Sequence, residues 1–121
     1  MGFKFEKLIA WEKALKVSVL IHELSLKFPA EEKYVLSSHL KRAADSIGLN
    51  IAEGSTGQSN KEFSKFLGYA LRSSVEVIAA LHIAKERNLI SAEVFKDTYK
   101  KVEEVFKITQ GLRNSLNTEN G

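Results

Sequence analysis

Apolar residues recur along this chain at intervals of three and four, the period of an α-helix, and the pattern breaks in three places. The first helical stretch is predicted from about Phe5 to Phe28. Trp11, Ala14, Val17 or Ser18, Ile21, Leu24 and Phe28 form one stripe, and Leu8, Leu15, Val19 and Leu26 form a second, rotated stripe. A helix apolar over more than one face has more than one packing partner. Pro29 closes it, because proline disfavours the α conformation in the residue before it.

The second helix is predicted over about 31–53. Glu31 and Glu32 suit the positive end of its dipole. Its stripe is Leu36, Leu40, Ala43, Ile47 and Ile51, with the small residues Ala44 and Gly48 on a neighbouring line, where another helix can approach closely. Gly54 reads as the C′ stop. After a short loop, Ser59 and Glu62 form the pattern of a capping box, which opens a third helix over about 59–87. That helix carries Phe63, Phe66, Leu67, Ala70, Leu71, Ser74, Ile78 and Leu81, and Asn88 tolerates the left-handed conformation that ends it. Ser91 caps a fourth helix over about 91–116, with Phe95, Tyr99, Val102, Phe106, Thr109, Leu112 and Leu116 in a near-heptad pattern. The tail from Asn117 to Gly121 is polar and expected to fray. Helices of this length, about 33–42 Å at 1.5 Å per residue, joined by short loops predict an all-α, antiparallel up-down-up-down four-helix bundle. No stretch alternates with period two.

Composition narrows the picture. With 121 residues the chain fits one domain, 1–121. One proline and seven glycines leave long helices uninterrupted. There is no uninterrupted apolar run of membrane-spanning length, so no membrane partner is expected. The N-terminus has charges within its apolar stretch and no small-residue cleavage site, unlike a signal peptide. The absence of cysteine excludes disulfides and thiolate metal sites and fits a cytoplasmic location. A net charge of +3 is a mild pointer to a polyanionic partner.

Several blocks of residues together resemble a known family. They are Trp11-Glu12-Lys13-Ala14, Lys27-Phe28-Pro29 with Glu32, the run from Leu40 through Lys41, Arg42, Ala43, Ala44, Asp45 and Ser46 to Ile47, and Asn50-Ile51-Ala52-Glu53-Gly54. Glu62-Phe63, Phe66-Leu67 and Ala70 continue the match. The pattern resembles the bacterial four-helix-bundle family of 23S rRNA intervening-sequence proteins. The resemblance implies a small bundle that assembles as a homopentamer and has no established enzymatic activity. Relatives are encoded inside insertions in large-subunit ribosomal RNA genes. A related branch includes the accessory protein of diversity-generating retroelements, a barrel-shaped pentamer that binds nucleic acid and a reverse transcriptase. Two positions depart from the pattern: Asp45 stands where an uncharged residue is frequent, and Gly48 where proline is frequent.

Candidate chemistry is sparse. Lys61, Lys65 and Arg72, at offsets of four and seven, share one face of the third helix, and Lys41 and Arg42 join them if the second and third helices are neighbours. In a cyclic oligomer these positions become a ring that focuses positive potential. The plain alternative is a solvated face with local ion pairs. Arg42 has a further structural reading, an ion pair with Glu53 or Glu76. Asn50 and Glu53, three apart beside Gly54, fit best as structural polar residues satisfying the end of the second helix. His22, His39 and His82 lack the i+3 or i+4 partners of a bundle metal site, and Gly54 to Gly57 lacks the lysine of a phosphate loop. No catalytic residue, metal or cofactor is expected. The aromatic residues at helical spacing fit core packing, with a subunit interface as the alternative for Trp11 and Phe5. Two functions follow. One is a non-catalytic binder of nucleic acid, RNA before DNA, acting as a ring-shaped homo-oligomer, with Lys41, Arg42, Lys61, Lys65 and Arg72 on phosphates. The other is a protein–protein adaptor that docks a partner enzyme such as a reverse transcriptase.

Overall fold

The computed structural model describes residues 2–32, 35–57 and 59–120. Four long helices occupy most of it: α1 (Ile9–Ser25), α2 (Leu36–Ser55), α3 (Asn60–Glu86) and α4 (Ala92–Asn120). Short 3-10 turns at Lys4–Lys7 and Ala30–Glu32 precede α1 and α2, and there is no strand among the described residues. Lys33 and Tyr34 of the predicted second helix, Gln58 of the predicted loop and Gly121 of the predicted tail lie outside the described residues.

The helices form a closed four-membered bundle in which α2 packs on α1 and α3, and α4 on α3 and α1. Each neighbouring pair runs antiparallel. Trp11 meets Gly48 while Ser18 and His22 meet Asp45. Gly54 meets Phe66 while Ser46 meets Ser73. Ser64 meets Asn117 while His82 meets Phe95. The core follows the predicted stripe on α2 and most of α1, and Ile21, Leu40, Ile47, Ile51, Leu67, Leu81 and Val102 are fully buried. On α3 Val77 is buried in place of the predicted Ile78, and on α4 Thr98 and Val105 are buried while the predicted Phe95, Tyr99, Phe106 and Leu112 are half-buried. Although its apolar residues are not consecutive, α3 is long and apolar enough over an 18-residue stretch to cross a membrane; here it packs between α2 and α4.

Three helix ends are built as expected. Ser59 Oγ accepts from the Glu62 N–H at 3.1 Å, and Ser91 Oγ from the Val94 N–H at 3.0 Å. Asn88 is left-handed at φ 61°. The Leu89 N–H reaches the Ala84 carbonyl and the Asn88 N–H the Lys85 carbonyl, each at 2.9 Å, which makes a Schellman ending.

Other boundaries differ, each for a local reason. α1 starts at Ile9 rather than Phe5 because Leu8 is extended, which folds the Lys4–Lys7 turn back so that Phe5 sits edge-on to Trp11 at 4.8 Å. α1 stops at Ser25, and Lys27 and Phe28 tighten its end through bonds to the Leu24 and Ser25 carbonyls. α2 begins at Leu36, not 31, and runs on to Ser55, and α4 stays helical to Asn120.

Gly54 is therefore not a C′ stop but lies inside α2. A Cβ at Gly54 would lie 2.5 Å from Phe66 Cβ and 3.1 Å from the Phe63 ring, so the absence of a side chain is what lets α3 close on α2. Gly48 does the same for Trp11, whose ring would lie 3.1 Å from an added Cβ. Gly111, by contrast, has nothing within 4 Å. Gly54→Ala should lower the unfolding free energy by about 1–3 kcal/mol through overpacking, whereas Gly111→Ala should raise it by about 0.5–1 kcal/mol through helix propensity. Urea unfolding of the two variants beside the parent chain checks both signs.

Candidate nucleic-acid interface

The outer face of α2 carries Ser38, Lys41, Arg42, Asp45, Ser46, Leu49, Asn50 and Glu53 around a shallow open depression. Arg42 is exposed and Lys41 half-buried. Neither makes an ion pair with a described residue, so the predicted link from Arg42 to Glu53 or Glu76 is not formed. Glu76 instead lies 3.5 Å from His39. Asp45 is held by α1: the Ser18 hydroxyl donates to it at 2.5 Å, and His22 Nε2 lies 3.1 Å from the same oxygen.

Asn50 and Glu53 part company. Asn50 Nδ2 donates to the Ser46 carbonyl and to Ser46 Oγ, both at 2.9 Å, and Ser46 Oγ accepts from Ser73 Oγ across the helix pair at 2.9 Å. This polar chain ties α2 to α3 about two turns from the Gly54 contact. The carboxylate of Glu53 is exposed and bonded to no described residue. The end of α2 is satisfied by Ser55 and Thr56, whose hydroxyls donate at 2.7 Å to the Ala52 and Glu53 carbonyls. At this corner Glu53 thus bonds to no described residue, and the shorter Ser55 and Thr56 reach the free carbonyls.

On α3, Lys61, Lys65 and Arg72 are all exposed, share the outward line of the helix, and pair with no carboxylate among the described residues. The spacing expected from sequence is therefore realised. The five cations are not one cluster, however. The Ser46–Ser73 contact places Arg42 level with Val77, about sixteen residues or roughly 24 Å along the axis from Lys61. The α3 cations form one stripe, and Lys41 with Arg42 a separate patch interleaved with Asp45 and Glu53.

A further cation was missed. Arg113 of α4 is half-buried, and its Nε donates to Ser64 Oγ at 3.2 Å, while Ser64 Oγ donates to Asn117 Oδ1 at 3.1 Å. Its guanidinium occupies the space above Gly68 that a side chain would fill, 3.1–3.4 Å from an added Cβ. The available signal was Gly68 itself, a glycine in mid-helix that costs about 1 kcal/mol relative to alanine and so calls for a packing reason.

Two apolar clefts flank these surfaces. One, between α1 and α2, is lined by Trp11, Ala14, Leu15, Ala44, Gly48 and Leu49. The second, between α3 and α4, is lined by Val75, Ile78, Tyr99 and Phe106. Their rims are exposed: Leu15 47%, Leu49 62% and Val75 57%. The second stripe of α1 thus faces outward within this chain, and no group of three His, Asp or Glu side chains gathers as a metal site among the described residues.

Comparison with known proteins agrees with this architecture. The family model of the 23S rRNA-intervening sequence protein matches residues 6–111. The chain belongs to this family. A crystal structure of a protein of unknown function from the S23 ribosomal protein family of Bacteroides thetaiotaomicron superposes with a TM-score of 0.82 at 26% identity, covering 88% of this chain and 96% of that one. No curated protein matches. Among the candidate cations, the intervening-sequence match includes Lys41, Arg42, Lys61, Lys65 and Arg72, and Arg113 lies beyond it. With its side chain bonded to no described residue, Glu53→Ala should shift the unfolding free energy by less than about 0.5 kcal/mol. A loss above about 1 kcal/mol in thermal or urea unfolding would restore the structural role expected from sequence.

Proposed function

We propose that this chain is a non-catalytic nucleic-acid-binding protein, RNA being the favoured partner, that acts in the cytoplasm as a ring-shaped homo-oligomer, most simply a pentamer. The observation that carries the reading is the stripe of Lys61, Lys65 and Arg72, exposed on the outer face of α3 with no carboxylate partner among the described residues. Unpaired cations in a row are suited to phosphates, which bind through charge and release counterions. They read no base sequence. Lys41 and Arg42 add a second, weaker patch because the acids Asp45 and Glu53 share its surface. The ring reading is supported by the two apolar clefts, which differ in lining and lie on different helix pairs. A head-to-tail contact between unlike surfaces closes into a ring when the rotation allows it.

The test is a titration of a labelled mixed-sequence RNA, followed by fluorescence anisotropy at about 50 and 200 mM salt. Three contacts per engaged subunit predict a log–log salt slope near −2 for a single strand. The triple change Lys61→Glu, Lys65→Glu and Arg72→Glu should lower affinity by at least about tenfold while leaving the mass of the assembly unchanged. An RNA ignored at micromolar protein, with a co-purifying protein seated on an apolar cleft, would favour the adaptor instead.

A further inference from the structure

The charged stripe on α3 is continued by a residue of another helix. Gly68 sits between Lys65 and Arg72 on the outward line of α3, and its backbone needs no positive φ, so conformational freedom does not explain it. What it provides is a bare patch of helix backbone. Nη2, Cζ and Nη1 of Arg113 lie 3.1, 3.2 and 3.4 Å from an added Cβ, so the guanidinium covers that patch with all three atoms at nearly the same height. Ser64, itself bonded to Asn117, holds Nε at 3.2 Å. Neither Nη group is bonded to a described residue. A guanidinium has five N–H donors in a fixed fork; here one is anchored and four are left to a ligand.

Opposing charge is sparse along the stripe: Glu76, one turn beyond Arg72, lies 3.5 Å from His39. Between residues 60 and 75 the only acid is Glu62, whose side chain lies at the α2–α3 corner, where an added Cβ on Gly57 would be 3.5 Å from Glu62 Cβ. Between residues 105 and 117 there is no acid at all. The nearest acids of α4 toward the N-terminus are engaged, Glu103 by Lys107 at 3.9 Å and Glu104 by Lys13 at 3.1 Å. Lys61, Lys65, Arg113 and Arg72 therefore follow one another along the α3–α4 edge with no acid between them. From Lys61 to Arg72 the line is about 17 Å long at 1.5 Å per residue, long enough to meet several phosphates of one strand.

We infer that Arg113, seated on Gly68 and held by Ser64, is the central phosphate ligand of a backbone-binding track on the α3–α4 edge. Its free Nη groups form the fork that takes a phosphodiester, and Lys61, Lys65 and Arg72 take the flanking phosphates. A fixed guanidinium fits a phosphate through paired hydrogen bonds, which a lysine ammonium does not. The inference rests on the nucleic-acid reading above and moves its centre away from Lys41 and Arg42. Arg113 lies just beyond the segment that the family model matches, whereas Lys61, Lys65 and Arg72 lie within it.

The experiment compares Arg113→Gln, Gly68→Ala and the double change Lys41→Gln with Arg42→Gln in the full chain, using the labelled RNA and a DNA strand of the same length. Arg113→Gln keeps an amide for Ser64 and removes the charge. It should weaken RNA binding about five- to tenfold and make the salt slope shallower by about 0.7, the value of one lost phosphate contact on a single strand. Gly68→Ala keeps the charge but displaces the guanidinium, and should also weaken binding by several fold; it carries the test if Arg113→Gln proves too unstable to assay. The double change, at the weaker patch, should weaken binding less than Arg113→Gln alone. Because the contacts are to the backbone, the DNA strand should respond to each variant as RNA does. Unchanged affinity and slope in both Arg113→Gln and Gly68→Ala, with RNA still bound by the parent chain, would overturn the track alone. A parent chain that binds neither strand would overturn the track and the nucleic-acid reading together.

Discussion

The close approach of α2 and α3 at Gly54 is the contact on which the rest of the bundle depends. Interiors are packed as densely as organic crystals, so a single added methylene is felt by its neighbours. Here the neighbours are Phe63 and the Cβ of Phe66, which is tied to the α3 backbone and cannot swing aside. With the helices this close, Ser73 reaches Ser46, and Asn50 braces Ser46 from the following turn. The register that results turns Leu67, Ala70, Val77 and Leu81 inward and leaves Lys61, Lys65 and Arg72 outward. The core and the charged stripe are two faces of one packing decision.

Much of this was legible in the sequence because it depends on local chemistry. Ser59, Asn88 and Ser91 act within a turn of their own position, and a hydroxyl or an asparagine in those places has few other uses. The apolar stripes were legible because burial follows the helical period. The residues that misled are those whose role is set by a distant partner. A glycine that ends a helix and a glycine that admits a phenylalanine look alike in sequence, and only the arrival of Phe66 decides for the second at Gly54. Phe5 reads as helical until Trp11 is found to draw it back. Glu53 had the right chemistry for a helix end, but the hydroxyls of Ser55 and Thr56 are nearer to the carbonyls it would serve.

The candidate site was half legible. The α3 cations follow from spacing alone. Arg113 does not, because its relevance comes from α4 packing against Gly68, forty-five residues away in the chain. The same logic applies to the apolar surface. The second stripe of α1 was visible as surplus, but only the closed bundle shows that Leu15 and Leu49 border one cleft while Val75 borders another. On the reading proposed for this chain, those unlike clefts mate between subunits, and a charge of +3 per chain is multiplied around a ring.

Light scattering after gel filtration, with and without mixed-sequence RNA at low and moderate salt, tests that account most directly. It predicts a particle of about five times the 13.5 kDa chain mass that gains RNA at low salt and releases it as salt rises. A 13.5 kDa monomer whose elution is indifferent to RNA at either salt would contradict it.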